Sequence, residues 1–283
     1  MSLDGTETYD LSRLGRRVVL ATHRRSGTHL TIDFLRGHFA ECRARKRLFE
    51  GLDTLYLNLE TLNPPWSLAP ELATQRLARA ARPIVKTHAG PGFEDYGLSE
   101  RAYAKEVLCD ADVIAVHRDV RDVLASFHHY HRTFSRGSHP SLSSFIWEKD
   151  GGVSRPRAWA NRVRAWREAG AHSIAYEEII GDPAATLRRF AELLELTPEV
   201  PTPTLPSPLR GRWHARGLAA FSRSPDATTV PGAAGRPLDW REILTQSDRA
   251  FIHQEAGDLL IELGYEDSDA WVDDGSRAAS PAQ

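Results

Sequence analysis

Of 283 residues only two are cysteine and one is methionine. Cys42 and Cys109 stand far apart and in no metal-ligand spacing. That excludes a disulfide framework and a cysteine-based zinc site, and it suits a reducing, cytoplasmic compartment. No apolar run approaches the roughly 20 residues that cross a bilayer, and the first ten residues are polar and acidic, so neither a membrane span nor a secretory leader is expected. Neither sign of charge is in excess: 36 Lys plus Arg face 38 Asp plus Glu, for a formal net charge of -2. A protein that coats nucleic acid through bulk electrostatics is thereby excluded, and any anion site is local. GxxxxGK[ST] is missing, which disfavours a nucleoside-triphosphate hydrolase, and no HExxH is present.

What is there is an ordinary globular composition, 41% hydrophobic and 26% charged. The length fits one α/β domain with long insertions, expected over residues 1–266. From 267 to 283 the chain is rich in Asp, Ser, Ala and Gly without a periodic apolar face, and a disordered tail is expected there.

Arg17-Val18-Val19-Leu20-Ala21-Thr22 is a β-branched run of buried-strand type. After it, Thr28, Leu30, Phe34, Leu35 and Phe39 recur near helical spacing, so the unit reads strand, tight loop, helix. Pro83 to Thr87, Asp112 to Val116 and Ser173 to Tyr176 are three further strand candidates. Helical patterns cover Val120 to His131, Pro156 to Ala169, Pro183 to Glu195 and Ser247 to Leu263. Strands alternating with helices predict a three-layer α/β sandwich around a central parallel sheet. Proline breaks the pattern at 63–66 and 198–208, and 211–239 reads as a long functional loop.

Three short segments carry chemistry. Arg24-Arg25-Ser26-Gly27-Thr28, between strand and helix, gathers guanidinium groups, hydroxyls and helix N-terminal amides into one small volume suited to an anion. Lys86-Thr87-His88 closes a strand with a cation beside an imidazole whose ordinary pKa lies near neutrality. Arg118, at a strand end, precedes Ser126 by two helical turns, and both could hold one phosphate.

These segments resemble the PAPS-dependent sulfotransferase family, whose donor is 3′-phosphoadenosine-5′-phosphosulfate. RSGTHL is similar to the PKSGTTW loop that takes the 5′-phosphosulfate. RDVRDVLASFHH is similar to RNPxDVxxSxxH, which takes the 3′-phosphate, and Lys86-Thr87-His88 matches the family's KTH. The resemblance, spread over Arg16 to Leu263, implies a P-loop-like sulfotransferase fold. It implies sulfuryl transfer to a hydroxyl or amine of a small-molecule acceptor, with no metal, no nucleic acid and no membrane partner. A homodimer is left open. His88 is implied as general base, with Lys86 and Arg25 as catalytic cations. Arg24, Arg25, Ser26, Gly27, Thr28, His29, Arg118 and Ser126 are implied as donor ligands. Ile174 to Pro183 is similar to the family's SYEDL-xxDP segment, whose tyrosine lies near the adenine, which assigns Tyr176 to the base.

Several positions depart from the pattern. Arg25 stands where the family has lysine, and Leu30 where it has an adenine-stacking tryptophan; Phe221 is the candidate substitute for that aromatic face. The leading basic pair of RKGxxGDW is absent, and Arg236 is the first candidate to replace its charge. His128, His129 and His131 form a cluster read as a polar helix end with partly exposed imidazoles rather than a metal site. Two competing readings are a small-molecule kinase with a degenerate phosphate loop, which lacks the lysine-Ser/Thr metal pair, and a nucleotide-binding protein of the same fold without turnover. Retention of Lys86 and His88 argues against the second.

Overall fold

The computed structural model describes residues 9, 11–44, 54–134, 141–200, 202–205 and 239–273. By contact the chain divides into two compact units, residues 1–117 with 162–206 and residues 118–161 with 207–283.

The first unit is built on a five-stranded parallel sheet. Its strands are β1 (Arg17–Thr22), β2 (Leu57–Asn58), β3 (Ile84–Thr87), β4 (Ala111–His117) and, following the helices of the second unit, β7 (His172–Ala175). The spatial order is β2-β3-β1-β4-β7. Register pairs Ala21 with Thr87 and with Ala115, so the carboxyl ends of β1, β3 and β4 lie side by side. β1 is buried along its whole length because both sheet faces are covered.

Alternation then sorts its side chains. Val19 and Ala21 join one core with Leu57, Val85, Tyr103, Val107 and Trp166; Val18 and Leu20 join the other with Ile32, Phe34, Leu35, Phe190 and Leu194. The first face is covered by α2 (Pro70–Leu77) and α3 (Leu98–Leu108), the second by α1 (Thr28–His38) and α8 (Pro183–Leu194). This is the three-layer parallel α/β sandwich expected from the sequence. Truncating a fully buried ring such as Phe34 to alanine would cost about 3–5 kcal/mol.

Asp182 caps α8, its carboxylate accepting from the Ala185 amide at 2.9 Å, with Pro183 in the first turn. Between β7 and α8 lies the short helix α7 (Tyr176–Gly181). The proline-rich stretch at 63–66 forms a turn with a cis Pro64-Pro65 bond.

The second unit contains α4 (Val120–Phe134), α5 (Leu142–Trp147), the two-residue strands β5 (Lys149–Asp150) and β6 (Val153–Ser154), and the first half of α6 (Arg155–Glu168). It also contains α9 (Trp240–Ile243) and α10 (Gln246–Glu262). Its core holds Val123, Phe145, Trp159, Ile252 and Leu259. Arg121, 1% exposed, is fixed by Asp119 and Glu266 and lies over the rings of Trp240 and Trp271 at 3.9 and 4.6 Å. Trp271, buried in the 3₁₀ turn Asp269–Val272, corrects the tail boundary. Residues 267–273 are held in this unit by an indole that has somewhere to pack. Among the described residues no helix is long and apolar enough to cross a membrane.

Candidate active site

The loop 23–27 leaves the carboxyl end of β1 and turns directly into α1. Two left-handed residues make the turn, Arg25 at φ 71° and Gly27 at φ 95°. At Gly27 this backbone coincides with a close approach: a Cβ there would sit 2.4 Å from Cδ2 of Tyr176. Gly27 is the N-cap of α1 and, lacking a side chain, leaves the helix uncapped; no acidic residue occupies the first turn, while Arg36 and His38 stand in the last. The positive end of the helix is thus uncompensated by the protein itself, the condition for an anion site.

Ser26 sharpens this. Its hydroxyl is fully buried and has no hydrogen-bond partner among the described residues. A buried hydroxyl left so is costly unless a ligand satisfies it, and a phosphate-like oxygen would. Arg24 and His29 stand exposed on either side, and Arg25 is half-buried.

Thr22 ties this loop to the next strand. Its hydroxyl lies 2.7 Å from the Thr28 hydroxyl, and its carbonyl oxygen lies 2.9 Å from Nδ1 of His88. A carbonyl only accepts, so Nδ1 carries the proton and Nε2 carries the lone pair. Nε2 in turn lies 3.5 Å from Nζ of Lys86, a buried lysine at the end of β3. Burial first, and then the charge of Lys86, hold the His88 pKa down at about 3 despite the bond to Thr22; Arg24 and His29 add to the depression. His88 is therefore a neutral imidazole at pH 7 with its accepting nitrogen beside a cation.

Behind His88 stands Glu60, in the 3₁₀ turn Leu59–Leu62 that follows β2. Its Oε1 accepts from the Thr87 hydroxyl at 2.9 Å and from the His88 amide at 2.5 Å. Arg162 comes close to Gly90, where a Cβ would lie 3.0 Å from its Nη1, and burial lowers its pKa amid Asp95, Glu94 and Glu60. None of Thr22, Glu60 or Arg162 was among the residues chosen from sequence. Thr22 could have been found as the last residue of the strand feeding the loop; Glu60 and Arg162 carry no local signal.

In the second unit Arg118, directly after β4, pairs with Asp122 at 3.4 Å, and Asp122 and Ser126 follow at successive spacings of four, on one face of α4. Burial raises the Asp122 pKa, with Arg118 opposing. The ion pair and the proposed phosphate role draw on the same guanidinium. The Tyr176 ring packs on Gly27. One expectation is corrected. His128 is buried rather than partly exposed, because α5 brings Phe145 against it and His131, at ring separations of 5.5 and 5.4 Å. Among the described residues no group of three His, Cys, Asp or Glu is placed to hold a metal ion. Phe221 and Arg236 lie outside the described residues.

A strand–loop–helix unit with an uncapped helix N-terminus at the carboxyl ends of a parallel sheet, and a buried cation and a neutral histidine at the next strand end, suits an enzyme that transfers a group from an anionic donor. The particular family follows from the sequence as a whole: the model described as the sulfotransferase domain matches residues 15–205, and the chain belongs to that family. It is the family the three motifs resemble.

Among solved structures the chain is similar to retinol dehydratase in complex with androsterone and inactive cofactor PAP (14% identity, 94% of this chain and 82% of that one, TM-score 0.52). It is similar to the same enzyme with retinol and PAP (14%, 94% and 83%, TM-score 0.50). A mouse sulfotransferase complexed with PAP gives 16% identity over 93% of this chain and 90% of its own, at TM-score 0.49. At such identities the likeness is one of fold. No curated protein matches the chain in sequence.

Proposed function

We propose that the chain is a PAPS-dependent sulfotransferase active on a small-molecule acceptor, with His88 as general base. The observation that carries the reading is the chain of contacts Thr28–Thr22–His88, which joins the anion loop to a neutral imidazole. Group transfer to a hydroxyl needs these two things adjacent: a cradle that fixes the anionic donor, and a base that reaches the incoming nucleophile.

In the proposed reaction the acceptor oxygen forms a bond to sulfur while the bond from sulfur to the 5′-phosphate oxygen breaks. Nε2 of His88 takes the acceptor's proton, and the leaving group departs as the 3′,5′-bisphosphate. Lys86 and Arg25 supply positive charge to the sulfuryl and departing oxygens. The amides of α1 with the Ser26 and Thr28 hydroxyls hold the 5′ end, with Arg24 and His29 at its rim. Arg118 and Ser126 take the 3′-phosphate. Structures of retinol dehydratase contain androsterone or retinol beside PAP, which supports an acceptor of small-molecule size. Tyr176, packed on Gly27, would meet the nucleotide from the loop side.

Calorimetry tests the donor. The 3′,5′-bisphosphate is expected to bind at least tenfold more tightly than ATP or GTP. Tighter binding of ATP would overturn the reading and favour a kinase.

A further inference from the structure

We infer that Glu60 is a positioning residue for His88: it fixes the strand-end turn so that the imidazole presents Nε2, without itself carrying the transferred proton. The inference rests on the reading of His88 as base. Glu60 Oε1 receives the His88 main-chain N–H at 2.5 Å, the Thr87 hydroxyl at 2.9 Å and the Tyr96 hydroxyl at 3.5 Å. The Thr87 hydroxyl also accepts from the Ala89 amide at 3.0 Å, so the turn 87–89 is bound to one carboxylate oxygen directly and through Thr87. Oε2 is buried and has no hydrogen-bond partner among the described residues, which leaves Oε1 to carry the whole load.

His88 is held at two ends. Its ring is fixed by the Thr22 carbonyl and its main chain by Glu60, from two different elements. With only the ring bond left, the backbone could rotate and carry Nε2 away from the reacting atoms; a shift of about 1 Å at such a site costs up to roughly a hundredfold in rate. The demand on Glu60 is geometric. A charge-assisted bond to an amide is strong and short, but a neutral amide oxygen in the same place can accept from the His88 amide and the Thr87 hydroxyl, the two closest of its three donors. Burial and the adjacent Glu60 also raise the Tyr96 pKa, which keeps that hydroxyl a donor.

The test compares Glu60→Ala with Glu60→Gln, using PAPS and a panel of phenols and alcohols, with product read by mass spectrometry. Glu60→Ala is expected to lower kcat by about tenfold or more, to leave KM for PAPS within a few-fold, and to shift the His88 ring nitrogen resonances. Glu60→Gln is expected to recover most of the rate and the resonances. If Glu60→Gln were as inactive as Glu60→Ala while the His88 resonances stayed unchanged, Glu60 would be a proton carrier and the inference would be overturned. Full activity in Glu60→Ala with loss in His88→Ala would overturn the positioning role alone. Loss in Glu60→Ala with full activity in His88→Ala would refute the reading of His88 itself.

Discussion

The carbonyl oxygen of Thr22 accepts a hydrogen bond from Nδ1 of His88 at 2.9 Å, across the paired ends of β1 and β3. One residue of the anion-loop strand thereby sets the tautomer of the proposed base. Because the free-enzyme pKa of His88 is depressed to about 3, the acid limb of kcat/KM should fall well below pH 6.5. The activity is expected to hold from pH 8 down to about pH 5. A limb centred at pH 6.5 would mean that His88 is solvated and ordinary in the free enzyme.

Gly27 combines φ 95° with the Tyr176 ring. Gly27→Ala therefore meets both a strained backbone and a side-chain collision, and bisphosphate affinity should fall by about tenfold or more. Adding Tyr176→Ala removes the collision and leaves the strain, so only part of the loss should return in calorimetry. Complete recovery would mean the backbone angle is immaterial.

Arg118→Ala should weaken the 3′,5′-bisphosphate by about 1–3 kcal/mol and leave adenosine-5′-phosphosulfate, which lacks the 3′-phosphate, nearly untouched. Since Asp122 competes for the same guanidinium, Asp122→Asn should tighten the bisphosphate slightly. Equal losses on both ligands in Arg118→Ala would contradict the assignment of the 3′ end.

His117 is buried at the end of β4, and burial lowers its pKa to about 4. The folded protein then binds fewer protons than the unfolded chain between about pH 4 and pH 6.5. Stability should be whole above pH 6.5 and fall as pH drops toward 4, by at most about 3 kcal/mol from this group. His23 and His88 act in the same direction. Thermal melts of His117→Asn should show a flatter acid profile; an unchanged slope would remove His117 from the account.

The parts of the fold that could be read from sequence are those where a local rule and the packing agree. β1 is a β-branched run, Gly27 opens the helix after it, and Asp182-Pro183 starts α8 where side-chain capping predicts. The elements missed have weak local signatures. β2 is two residues long at a sheet edge, and α3 buries only Tyr103, Ala104 and Val107. The 24–28 loop and Lys86-Thr87-His88 stand out in the sequence because each presents its residue types consecutively. Glu60 was not, because it reaches Thr87 from 27 positions away and nothing in its own segment marks it. His128 and Trp271 were misjudged for the same reason, since their burial is supplied by Phe145 and by Arg121.

The most direct test is the turnover of His88→Ala against its affinity for the bisphosphate. With His88 as base, turnover with PAPS should fall by roughly a hundredfold or more while bisphosphate affinity stays within a few-fold. Unchanged turnover would contradict the central claim that a histidine held by Thr22 takes the acceptor's proton.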